Sequence, residues 1–191
     1  MRRRARFAAV LMMAAMAPCA GWAAGERATP RRSAQFAAPQ QQPVRAELVA
    51  EHASIQPGGR TRIGVQFDIE EGWHIYAKDP GDAGLPTKIR WTGPSWVSFG
   101  PLHWPPPESL LDPGDIRTFG YSGATVLHSA LQSRLSKMDP SRNALPIRAH
   151  VEWLACKELC IPGSAELELT LQIRDEPPRF TPHAELFDHV E

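Results

Sequence analysis

Past its first two dozen residues, this 191-residue chain has no apolar run of about twenty residues, which excludes a membrane-spanning helix in the mature protein. Methionine is almost missing too: Met1, Met12, Met13 and Met16 lie in the leader and only Met138 remains. Charge of one sign is also lacking, with 21 basic and 21 acidic residues. Residues 1–24 hold four arginines and no acids, so the rest carries 17 basic against 21 acidic residues, a net charge of about −4. Nothing in that balance suggests a nucleic-acid surface. No hydrolase triad, phosphate loop or HExxH-type site is present, and the seven histidines show no short metal-ligand spacing. The acidic residues read as solvated strand-face charges.

Cysteine is scarce and its placement is informative. The opening M-R-R-R-A-R leads into an apolar run from Phe7 to Ala17 and then small residues, the pattern of a secretory signal peptide over residues 1–24. Cleavage after Ala23 or after Ala20 removes Cys19 and leaves Cys156 and Cys160. An even count in an oxidising compartment favours a disulfide or redox pair over a lone nucleophile.

The pair lies in V-E-W-L-A-C-K-E-L-C-I-P-G, Val151 to Gly163. A disulfide needs Cα atoms about 4.4 to 6.8 Å apart, whereas four extended steps span roughly 13 Å, so the chain must fold back between the two. A ring of about five residues braces the unfolded chain by only about 2 kcal/mol. It suits reversible opening better than bracing. Lys157 favours a thiolate at Cys156, and Glu158 partly cancels it. Three readings stay open on the residues alone: a redox pair, a structural disulfide closing a turn, or Cu(I) held by the Cys156 and Cys160 thiolates.

About 165 residues after the leader make one domain by length. Residues 25–43 are rich in Pro, Gln and Ala and read as a flexible linker. Val44 to Glu51 is a first strand, and Ile63, Val65, Phe67 and Ile69 alternate with polar residues as a second. Trp73 to Tyr76 reads as strand ended by a Lys78–Gly84 loop; Thr87 to Trp91 and Trp96 to Phe99 follow, then an edge or loop from Leu102 to Pro107. Asp112 to Gly123 reads as a turn and loop carrying Phe119 and Tyr121, and Ala124 to Leu135 as either helix or strand. Alternating runs over 147–153 and 167–173 flank the cysteines as an antiparallel pair. Strands punctuated by nineteen prolines and fourteen glycines predict an all-β sandwich over residues 44–175. The tail, residues 176–191, has room for one short helix at Ala184 to Val190.

Three stretches resemble the N-terminal periplasmic domain of DsbD-type thiol:disulfide interchange proteins: G-W-H-I-Y-A-K-D-P-G-D-A-G-L-P-T at 72–87, T-F-G-Y at 118–121 and W-L-A-C-K-E-L-C-I-P-G at 153–163. The resemblance spans roughly Val44 to Ile173. It implies an immunoglobulin-like sandwich in the periplasm, with Cys160 joining a partner in a mixed disulfide and Cys156 resolving it, without a cofactor. It further implies a cap loop, matched by Phe119-Gly120-Tyr121, and a strand near the site carrying His74 and Tyr76, expected as a surface histidine and a core tyrosine. The implied partners are a membrane-embedded thiol reductase as donor and a thioredoxin-like or isomerase-like periplasmic acceptor, including those of cytochrome c maturation. Two features set this chain apart from the best-known members: three rather than five residues separate its cysteines, as in a branch linked to copper-stress reductases, and no helical membrane domain follows. The expectation is therefore a stand-alone monomer whose donor is a separate protein.

Overall fold

The computed structural model describes residues 42–188. The stretches expected as signal peptide and, for the most part, as linker fall outside them, as does Val190 of the tail. Among the described residues no helix is long and apolar enough to cross a membrane.

Among the described residues, eleven strands form two sheets. One runs β1 (Val44–Ala50), β3 (Arg60–Ile69), β9 (Ala124–Ser133), β6 (Val97–His103). The other runs β2 (Ser54–Ile55), β11 (Cys160–Ile173), β10 (Ala144–Cys156), β4 (His74–Gly81), β8 (Ile116–Tyr121), β7 (Glu108–Asp112), with β5 (Lys88–Thr92) also paired to β10. Every pairing is antiparallel except β2 with β11. The result is an immunoglobulin-like sandwich.

Alternation decides which faces meet. Ile63, Val65 and Phe67 of β3 are buried, as are Leu127 and Leu131 of β9 and Leu145, Ile147, Ala149 and Val151 of β10. Burying each large side chain contributes about 1.5–3 kcal/mol. Phe67 and Trp153 meet edge-to-face across the sheets with centroids 5.8 Å apart. Leu167 and Leu169 are only partly buried because β11 has a neighbouring strand beyond it only at Gln172–Ile173.

The structure decides one open alternative, corrects two local expectations and bears out the tail helix only as a short turn. Ala124 to Leu135 places Val126, Leu127, Ala130 and Leu131 at helical spacing, yet it is strand, since β9 completes ladders with both β3 and β6. The Lys78–Gly84 loop begins later, because β4 runs on to Gly81 through an irregularity opposite β8. Asp112 to Gly123 is the turn and second strand of a hairpin rather than a loop: β7 and β8 pair from Glu108↔Gly120 to Asp112↔Ile116. The tail is docked. Its short 3-10 turn, Ala184–Phe187, buries Phe187 completely, while Arg62 donates to the Phe187 carbonyl and pairs with Glu51 and Asp188.

Candidate functional site

The long β10–β11 ladder runs through thirteen consecutive pairs, from Ala144↔Gln172 to Cys156↔Cys160. At its end the turn Lys157–Leu159 reverses the chain, with the Lys157 N–H donating to the Leu159 carbonyl. That brings the Cα atoms of Cys156 and Cys160 to 4.1 Å and joins them in a disulfide. The two halves differ in access. Cys156 is 2% exposed, Cys160 is exposed and Leu159 beside it is 76% exposed.

Alternation along β10 turns Trp153 and Ala155 inward and Cys156 to the outer face. Across the next strand Cys156 faces His74 and Ala155 faces Ile75. Cys160, Cys156 and His74 therefore form one row over β11, β10 and β4. His74 is 8% exposed, which corrects the expectation of a surface histidine; Tyr76 is buried as expected. Their rings meet edge-to-face at 5.1 Å. The motif after β4 explains the burial: Gly84, at φ +98°, sits where a Cβ would lie 2.4 Å from the Tyr76 ring, so only glycine lets the loop close over it. Thr87 fastens that loop by donating its hydroxyl to the Tyr76 carbonyl at 3.1 Å.

A carboxylate that sequence reasoning left in a turn completes this cluster. Asp112, at the end of β7, places Oδ1 3.4 Å from His74 Nε2. Its Oδ2 accepts the hydroxyls of Tyr76 at 3.3 Å and Thr118 at 3.1 Å. Burial lowers the pKa of His74, and the Asp112 charge opposes that shift. Burial, with Asp112 adding to it, raises Tyr76 to about 12. Asp112 and Thr118 lie 36 and 42 residues from Tyr76, so only the strand register, not any spacing motif, brings them in.

Phe119, Gly120 and Tyr121 are not a loop over the sulfurs. β8 is hydrogen-bonded to β4 on one side and β7 on the other. Tyr121 faces Ile75, which faces Ala155, all on the core side, opposite the face that carries Cys156. The Tyr121 hydroxyl donates to the Pro105 carbonyl at 2.9 Å, and burial raises this phenol to about 12. Phe119 and Tyr121 line an open, largely apolar pocket of about 500 Å³ with Ala77, Trp104 and Pro105–107, edged by Lys78 and Asp79. Gly120 alone of the three lies on the outer face, opposite Tyr76.

Lys157 is brought near the pair by sequence only. Its amine reaches the β3–β4 turn, 3.4 Å from the Glu71 carbonyl, over Gly72. Among the described residues no group of three or more His, Cys, Asp or Glu could hold a metal ion; the Cys156 and Cys160 sulfurs are the soft donors, and here they are bonded to each other.

A family model described as thiol:disulfide interchange protein DsbD, N-terminal, matches residues 34–172. No curated protein matches the chain. Among solved structures, the N-terminal periplasmic domain of ScsB from Proteus mirabilis is 22% identical with a TM-score of 0.53, over 81% of this chain and 54% of that one. This chain thus spans about half of that structure, and the two share a fold. The DsbD N-terminal domain of Neisseria meningitidis in its reduced form is 16% identical with a TM-score of 0.34, over 70% of this chain and 89% of that one.

Proposed function

The chain belongs to the family of N-terminal domains of the thiol:disulfide interchange protein DsbD, and from that premise we propose that it carries reducing equivalents in the periplasm through Cys156 and Cys160. The observation that carries this reading is the unequal access of the two sulfurs at the tip of a hairpin: one buried residue, one exposed.

Exchange proceeds by thiolate attack on a disulfide sulfur through a mixed disulfide. In the loading half, a thiolate of a membrane-embedded reductase attacks the Cys160 sulfur, and the Cys156–Cys160 bond breaks with its electron pair on Cys156, which takes a proton. The reductase's second thiol then displaces Cys160, leaving the reductase oxidised and both cysteines reduced. In the delivering half, the Cys160 thiolate attacks the disulfide of a thioredoxin-like or isomerase-like acceptor. Cys156 next attacks Cys160, re-forming the intramolecular bond and releasing the acceptor as a dithiol. Two electrons and two protons move in each half, and no cofactor takes part.

The test separates the two roles. Incubated with an oxidised thioredoxin-fold protein, Cys156→Ser accumulates a disulfide-linked adduct through Cys160. Cys160→Ser accumulates roughly tenfold less, because exchange depends on access to the attacking sulfur. Equal trapping by both variants contradicts the assignment. Titrated in glutathione buffers, the wild-type pair has its midpoint between the thioredoxin and isomerase values, about −270 and −180 mV. A pair still oxidised below about −300 mV is a structural bond, and tight Cu(I) binding with sluggish exchange marks a copper carrier instead.

A further inference from the structure

The polar cluster beside the disulfide is more elaborate than a packed histidine requires. Cys156 and His74 are directly opposed in the β10–β4 ladder, where facing Cβ atoms lie about 4.5–5.5 Å apart. The imidazole and the Cys156 sulfur therefore share the outer face within side-chain reach. His74 Nε2 is buried and makes no geometrically good hydrogen bond, its ion-pair partner Asp112 Oδ1 standing 3.4 Å away. Opposite it, Asp112 is oriented by two hydroxyl donors, Tyr76 and Thr118, leaving Oδ1 toward the ring. A buried base backed by an oriented carboxylate, next to a buried thiol, is the arrangement that general-base activation of a nucleophile uses.

Resting on the exchange reading above, we propose that His74, backed by Asp112, accepts the thiol proton of Cys156 in the resolving step. The need for a base follows from burial, since removing a thiol from water disfavours its charged form. At neutral pH burial also keeps His74 unprotonated and able to accept. The groups facing the imidazole are Asp112 from β7, Tyr76 from its own strand and Cys156 from β10. Thr118 of β8 acts through Asp112, and the Lys157 amine stands at the nearby Glu71–Gly72 turn. In the step, the Cys156 S–H proton passes to the imidazole and the thiolate attacks Cys160 in its mixed disulfide. The Cys156–Cys160 bond forms as the Cys160–partner bond breaks, and the partner leaves as thiolate. The imidazolium, paired with the Asp112 carboxylate, then returns its proton to the departing sulfur or to water.

Glutathione serves as the probe. The reduced protein is mixed with oxidised glutathione to load Cys160, and release of the second glutathione is followed by stopped flow from pH 5 to 10. The expected result for His74→Gln is a loss of about a hundredfold in the release rate at pH 7, closing toward wild type at high pH, where the thiol ionises unaided. Asp112→Asn keeps the base but removes its anion, so the rising limb of the profile moves to lower pH with a lower plateau. A purely structural role would lower the rate equally at every pH. A His74→Gln profile that superposes on wild type, or falls uniformly, overturns the inference and leaves the exchange reading standing. Should His74→Gln not fold, an Asp112→Asn profile unchanged in position overturns it alone. Wild-type protein that never takes up or releases glutathione overturns both.

Discussion

Gly120 shows how much single residues decide here. A Cβ at this position would lie 2.2 Å from the Ile75 carbonyl oxygen, a backbone atom that cannot move aside without parting β4 from β8. Gly120→Ala is therefore expected to destabilise the protein by about 3 kcal/mol, read as a lower urea midpoint. Gly123→Ala is the comparison: at φ +65° with open space around it, it costs only the left-handed backbone penalty of about 1 kcal/mol. The sequence exposed Gly120 as part of a motif but suggested a cap, whereas its backbone neighbours account for it. The cysteines were legible because two half-cystines four residues apart leave few geometries. His74 was placed near the site only through the resemblance, and as a surface residue, while Asp112 was not singled out at all, since their environments come from strands separated by more than thirty residues.

Among the elements, β3, β10 and β11 could be read directly, because one face of each is buried and the other wet, so period-two patterning is unambiguous. β9 was ambiguous for the opposite reason: buried between β3 and β6, it holds apolar residues at consecutive positions. β7 was hidden by three prolines before it and a turn after it, and only its pairing with β8 makes it a strand. The C-terminal 3-10 turn was legible as a short helix starting at Ala184, but its docking was not, since its anchor is a single phenylalanine whose pocket lies on another element. Phe187 packs edge-to-face on His128 at 5.6 Å, and His103 stacks on the other side at 5.1 Å. His128 is buried with neither ring nitrogen partnered. Burial first, then His103 and the Arg62 cation, with Glu51 opposing, lower its pKa to about 4. The unfolded chain binds this proton near pH 6.5 while the fold refuses it until about 4, so stability falls as pH drops through that window. The expected observation is a urea midpoint that declines from pH 6.5 to 4, with a shallower decline in His128→Leu.

At the scale of the whole molecule, the sandwich does not depend on the bond at its tip. Two apolar faces, joined by contacts such as Phe67 with Trp153, hold the sheets together some distance from Cys160. The sandwich was legible in the chain, because alternation and turn signals fix its composition. Which strands neighbour which was not, because register is a property of pairs. Reducing the Cys156–Cys160 disulfide is expected to lower stability by only about 2 kcal/mol, the loop entropy of a five-residue ring. Urea unfolding of the oxidised and reduced forms checks this, and a difference several times larger would mean that the bond braces the fold.

Thirteen residue pairs run from the sulfurs back into the interior, so a hairpin that loses its crosslink still has its whole length to hold it. Both redox forms then keep the hairpin closed against a protease, the reduced form opening more often only by the roughly thirtyfold that about 2 kcal/mol allows. On the proposed exchange function, one copy is therefore reduced and reoxidised repeatedly while its strands, not its crosslink, hold it together.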